Sequence, residues 1–244
     1  MSLFYRLAYA LLFSMVSASF VAHAGVILLI EPPLQIKQTL QQAQAVVATL
    51  IKDINALSSN RPTLVFEPNH YDFHISLAYL SWQKLPMNLF MDHARESIDG
   101  VKAIAQDMLA LDLTKEFAQA TVEFVESKRP MVLPNGSSLE HCYYVVLQLK
   151  EHHALEMLAN ALDKHFAAYD WYPKRDFPFM PHFTLGKLYN IYGQPLQSLL
   201  ADIGELINSA VQPLINSGSF KYPVTSFTLR AHDGKEMIFN LAQP

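Results

Sequence analysis

The chain has 244 residues, 51% of them hydrophobic and 16% charged, with one cysteine and a formal net charge of −4. Such a length supplies one large domain, or two small lobes, around a substantial core. The lone Cys142 excludes an intramolecular disulfide, and the acidic balance argues against a general binder of long nucleic acid, which needs a basic footprint.

The first residues read as an address rather than a fold. Arg6 supplies a positive start, Leu7 to Val21 is an apolar run broken only by serines, and Ala22-His23-Ala24 is a small-x-small cleavage site. We therefore expect residues 1–24 to be a secretory signal peptide and 25–244 a single mature domain, periplasmic or secreted, with no stable membrane anchor once the leader is cleaved. An uncleaved anchor is the rival reading, because apolar character resumes at Val26. The run Gly25 to Ile30, closed by Glu31-Pro32-Pro33, reads better as the first strand of the mature domain.

Leu34, Leu40, Val47, Leu50, Ile54 and Leu57 recur at helical spacing and predict a helix over 34–57. Thr63 to Phe66 reads as a short strand, Glu67-Pro68-Asn69 as a turn, and Phe73 to Leu80 as a third strand. A helix over about 88–110 follows. The middle of the chain reads as strands at 120–125, 131–133 and 142–149, which we expect to bridge the two halves; Cys142, within the last of them, reads as a small buried residue. A helix over 151–168, an aromatic and proline-rich loop to Pro181, a strand over 182–189, a helix over 195–216 despite Pro213, and strands near 224–231 and 236–241 complete the chain. The order of elements in the first half recurs approximately in the second, which suggests an internal duplication.

Two segments repeat one pattern. His74-Ile75-Ser76-Leu77 and His182-Phe183-Thr184-Leu185 each read histidine, apolar, hydroxyl, apolar. On a strand, residues two apart share a face. His74 and Ser76 therefore project together, as do His182 and Thr184, while their apolar neighbours point into a core.

Imidazole and hydroxyl side chains in this arrangement suit cleavage of a phosphate ester. One histidine can take a proton from the attacking oxygen while the other protonates the departing one, since a pKa near ~6.5 lets both forms coexist. The hydroxyls can donate to the nonbridging phosphate oxygens, where charge builds. Nothing in this scheme requires a metal or another cofactor.

The paired His-x-Ser/Thr strands, their order among the elements and the follow-on Leu185-Gly186-Lys187 resemble the 2H phosphoesterase superfamily, which includes 2′–5′ RNA ligase-like and cyclic phosphodiesterase enzymes. The resemblance implies a bilobal α+β fold, with two antiparallel sheets around a central cleft, helices outside and pseudo-twofold duplicated halves. It implies His74 and His182 as general acid and base, and Ser76 and Thr184 as phosphate binders. It also implies a substrate that is a small nucleotide or short RNA end with a cyclic or 2′–5′-linked phosphodiester. A signal peptide departs from the usual members of that family and bears on the substrate more than on the chemistry.

Further candidates stand beside the four. Lys187 could attract phosphate, although strict alternation puts it on the face opposite His182. Lys174 and Arg175, in the loop before the second motif, could reach over a bound phosphate. Tyr169, Trp171, Tyr172, Phe177 and Phe179 could stack a base or simply pack. A metal site can be drawn from His70, Asp72 and His74, with His152-His153 elsewhere, but no second half of a ligand set accompanies it. No Gly-x-Ser-x-Gly elbow supports a serine hydrolase. The alternative of a different class is an exported protein that holds a phosphorylated ligand or partner in the same cleft without turnover.

Overall fold

The structure, a computed structural model, describes residues 25–57, 63–70, 73–81, 87–106, 111–128, 130–133, 136–150, 153–169, 179–216, 220–222, 224–231 and 236–241. In chain order these form β1 (Gly25–Ile30), α1 (Leu34–Leu57), β2 (Leu64–Pro68), β3 (Ile75–Ser81), α2 (Met87–Gln106), β4 (Leu111–Asp112), α3 (Thr114–Ala118), β5 (Thr121–Glu126), β6 (Met131–Val132), β7 (Ser138–Leu139), β8 (Cys142–Gln148), α4 (His153–Phe166), β9 (His182–Asn190), α5 (Gln197–Asn216), β10 (Lys221–Tyr222), β11 (Ser226–Ala231) and β12 (Glu236–Asn240). The fold is α+β.

Two four-stranded sheets organise it, one in the order β12-β11-β1-β3 and the other β2-β9-β8-β5, with antiparallel pairing throughout. Two-stranded ribbons, β4 with β10 and β6 with β7, complete the ladders among the described residues. The middle strands do not bridge the halves as the sequence reading expected: β5 and β8 belong wholly to the second sheet. The link is β2, which leaves the first half to pair with β9. Its Pro68 extends the strand where a turn was predicted, and an edge strand tolerates this because one of its sides needs no ladder donor.

The duplication is visible in the register. Ile30 faces Ile75 as Leu147 faces Phe183, and Leu29 faces Ser76 as Val146 faces Thr184. Leu28 then faces Ala78 as Val145 faces Gly186, and the match runs on to Gly25 with Ser81 and Cys142 with Tyr189. Both ladders skip one residue at the same place. The extra residue is Leu77 in one and Leu185 in the other, the fourth residue of each motif.

The helices exchange sheets. α1 follows β1 but packs on β2 and β9 of the second sheet, beside α5, while α4 follows β8 but packs on β3 of the first sheet, beside α2. Apolar stripes explain the docking: Ile36, Leu40, Ala43, Val47 and Ile51 of α1, and Leu155, Leu158, Leu162 and Phe166 of α4, are all buried. They join one cluster with Leu28, Ile75, Leu77, Leu147, Phe183 and Leu185. Burial of each such large side chain contributes about 1.5–3 kcal/mol before the cost of ordering the chain.

Candidate active site

The strands that carry the motifs, β3 and β9, approach across the two sheets, with Cα atoms within 8 Å. Burial alternates as the motifs require. Ile75, Leu77, Phe183 and Leu185 are at most 1% exposed, whereas His74, Ser76, His182 and Thr184 are only partly buried. His74 stands one residue before β3 and His182 begins β9.

The paired bulges alter what lies beyond each hydroxyl. A bulge adds one residue on one strand, so the side chains after it change face relative to simple alternation. The partner strand β8 is regular and sets the faces: Gln148, Val146 and Tyr144 alternate on one side and pair with His182, Thr184 and Lys187. Lys187 therefore shares the face of His182 and Thr184. The sequence reading, which assumed strict alternation, put it on the other.

Around the second motif the backbone is held by side chains. The Asn69 amide donates to the carbonyl of the bulged Leu185 at 2.9 Å, and its side-chain Nδ2 donates to the Thr184 carbonyl at 3.0 Å. Gln44, on the buried stripe of α1, donates from Nε2 to the Leu185 carbonyl at 2.5 Å and to the Asn69 carbonyl at 3.1 Å. A bulge disturbs ladder pairing, and these donors satisfy the carbonyls it turns aside. Sequence reading missed both residues. The available signal was a glutamine on an otherwise apolar helix stripe.

The imidazole of His182 is oriented by its own chain. Nδ1 lies 2.9 Å from the Met180 carbonyl. A carbonyl only accepts, so Nδ1 carries the proton, and in the neutral ring Nε2 is left with a lone pair. That ring nitrogen suits a general base.

Lys187 lines a cavity of about 260 Å³ with Glu67, Tyr144, Cys142, Ser127 and Met131 among its walls. Glu67 faces Lys187 across the β2–β9 pair, and Tyr144 faces it across β8–β9. Cys142 is buried, as expected. Burial pushes its thiol above the ordinary value, with Lys187 pulling down and Glu67 pushing up.

Lys174 and Arg175 lie outside the described residues, as do Trp171, Tyr172 and Phe177. Tyr169 stacks on His93 with ring centroids 4.3 Å apart and donates to Glu96, and Phe179 packs against the core. Asp72 and His152 also lie outside the described residues. Among those described, no group of three or more His, Cys, Asp or Glu is placed to hold a metal ion.

No protein-family model matches the chain, and no curated protein matches it in sequence. Solved structures do. Usb1 of Kluyveromyces marxianus, solved with uridine monophosphate, superposes with a TM-score of 0.54 at 13% identity, covering 90% of this chain and 99% of that one. A second structure of Usb1 from that organism gives 0.51 at 14% identity, with the same coverage. LigT of E. coli complexed with 3′-AMP is also matched, at 14% identity and a TM-score of 0.34.

The shared architecture defines a class first: an α+β fold of two antiparallel four-stranded sheets with flanking helices. Within that class the chain shares the fold of Usb1.

Proposed function

We propose that this chain is a metal-independent phosphodiesterase that cleaves a cyclic or 2′–5′-linked phosphodiester in a small nucleotide or short RNA end, with His74 and His182 as the acid–base pair. The observation that carries the reading is the repeated register. β3 and β9 approach one another, each begins at or just after a histidine and carries a hydroxyl followed by a bulge at the same residue, and this agreement across β1–β3 and β8–β9 supports two matched halves of one site. The uridine monophosphate solved with Usb1 is a ligand of this size.

In hydrolysis of a 2′,3′-cyclic phosphate, His182 Nε2 takes a proton from water as its oxygen bonds to phosphorus. His74, protonated, gives its proton to the ribose oxygen as that P–O bond breaks. Ser76 and Thr184 donate to the nonbridging oxygens, whose charge grows in the transition state. The products are a phosphomonoester and a free ribose hydroxyl, and a proton exchange with solvent resets the pair.

The reading includes export. The strand β1 (Gly25–Ile30) lies between β11 and β3. Its Leu28, Leu29 and Ile30 are buried, so this apolar run has a role in a sheet core. Sequencing the N-terminus of protein recovered from the periplasm or medium tests this; Gly25 is the expected first residue, and a retained Met1 would contradict it.

The activity is tested by offering 2′,3′-cyclic and 2′–5′-linked nucleotides with a chelator present. Turnover of at least one is expected. Tight binding without turnover would instead favour the exported binding protein, and turnover abolished by the chelator would favour a metalloenzyme.

A further inference from the structure

Register fixes the motif face of the first sheet beyond β3. Leu28, Ile30 and Leu229 belong to the core, so Ile27, Leu29, Thr228 and Arg230, which alternate with them, point to the other side with Ser76. Leu29 pairs with Ser76 on β3 and with Thr228 on β11, and Ile27 pairs with Arg230. One step past the Ile30–Ile75 pair, Glu31 stands opposite His74.

Arg230 runs lengthwise along this face. Its Nε donates to Glu236, its neighbour across β11–β12, and its Nη2 donates to Glu31 Oε1 at 3.3 Å. The rows of Ile27 and Glu31 lie four residues apart, about 13 Å along the strand. The longer arginine side chain therefore carries its guanidinium over the middle row, that of Leu29, Thr228 and Ser76. Leu29 is 0% and Thr228 3% exposed, although Leu29 lies outside the core cluster, in keeping with an overlying arginine stem. In the second half Val125 holds the corresponding place beside Tyr144, so the duplicated frame does not call for a cation here.

Two carboxylates fix the fork without exhausting it. A guanidinium has five N–H donors, and Glu236 and Glu31 take one each. Nη1 keeps both of its own: it makes no bond among the described residues and is not among the polar atoms shut off from solvent. Lys37 donates to the other oxygen of Glu31 at 3.1 Å. The four charges thus cancel, and what the group offers is directed donors rather than a general positive field.

We propose that Arg230 is a phosphate-binding residue of the motif site, donating from Nη1 to a nonbridging oxygen of the phosphodiester. The phosphodiesterase reading, on which this rests, seats the phosphate at Ser76 and Thr184. A hydroxyl gives one neutral-donor hydrogen bond, whereas a guanidinium edge gives charge-assisted ones, shorter and about twice as strong. The difference grows as the nonbridging oxygens gain charge, so Arg230 favours the transition state over the bound substrate.

Kinetics on 2′,3′-cyclic and 2′–5′-linked nucleotides test this, together with the two phosphorothioate diastereomers of the member that the parent cleaves fastest. Arg230→Gln should lose about 10²-fold in kcat, with a smaller change in KM. Arg230→Lys, which keeps the charge but not the fork, should regain less than about tenfold of that loss, and it decides the matter if the glutamine variant does not fold. The parent should cleave one diastereomer about tenfold more slowly than the other, because sulfur accepts poorly from Nη1, and the ratio should narrow by about threefold or more in each variant. A group that only ties β11 to its neighbours would slow both diastereomers alike. An unchanged ratio, or full kcat in either variant, would overturn the assignment and leave the phosphodiesterase reading standing. A parent that cleaves no member of the panel would overturn both.

Discussion

At the scale of single residues, the burial pattern of the motif strands was legible because strand parity is a local rule. Ile75, Leu77, Phe183 and Leu185 are buried and their polar neighbours are not, as alternation predicts. Lys187 was misassigned because a bulge is invisible to a period-two pattern. Glu67, Gln44 and Asn69 were not singled out, since each acts through a partner distant in sequence. Ser76→Ala and Thr184→Ala, each removing one donor to the phosphate, should lower kcat by about 10²-fold, with KM changing less. Steady-state kinetics on whichever substrate the panel identifies checks this. Equal loss in KM alone would mean that the hydroxyls bind the ground state without favouring the transition state.

Elements were legible where they are long. The helix predicted over 34–57 is observed at Leu34–Leu57, and the motif strands fall within two residues of their expected bounds. β4, β7 and β10 have two residues each and α3 has five, too few for any period to show. Strand pairing was not legible, because the sequence does not say that β2 joins β9.

Gly186 reports on that pairing. A Cβ there would lie 2.5 Å from the Glu67 carbonyl oxygen and 2.6 Å from the Phe66 ring, so β2 would have to move. Gly186→Ala should destabilise the protein by about 1–3 kcal/mol, read as a lower urea midpoint; an unchanged midpoint would contradict the close approach of β2 to β9. Gln44→Leu keeps the volume of the α1 stripe but withdraws a donor from the bulged Leu185 carbonyl. A loss of about 1–2 kcal/mol is expected, together with a fall in kcat that Gln44→Glu, which keeps an acceptor but no donor, should not rescue.

For the whole molecule, the duplicated ladders and exchanged helices join two halves into one core, and neither half has its full sheet alone. The shared core also buries a phenol. Tyr222 Oη is buried and meets no partner among the described residues, and burial raises its ionisation well above the ordinary value, with Glu31 adding to the effect. The folded chain therefore holds this proton more tightly than the unfolded one. Stability should be fully present below the unfolded phenol value of about 10 and fall as pH rises above it. Tyr222→Phe should remove that part of the alkaline slope, seen in melts between pH 9 and 11, while costing nothing at pH 7.

The central claim is that two symmetric halves make one acid–base site, so neither histidine is dispensable. The direct measurement is turnover by His74→Ala and by His182→Ala, each alone, on a substrate that the unaltered protein cleaves, with melting curves recorded beside it. Each variant should lose at least about 10²–10⁴-fold in kcat, the usual contribution of a positioned acid or base, while melting within about 0.5 kcal/mol of the parent because both side chains are partly exposed. Full turnover in either single variant would contradict the account.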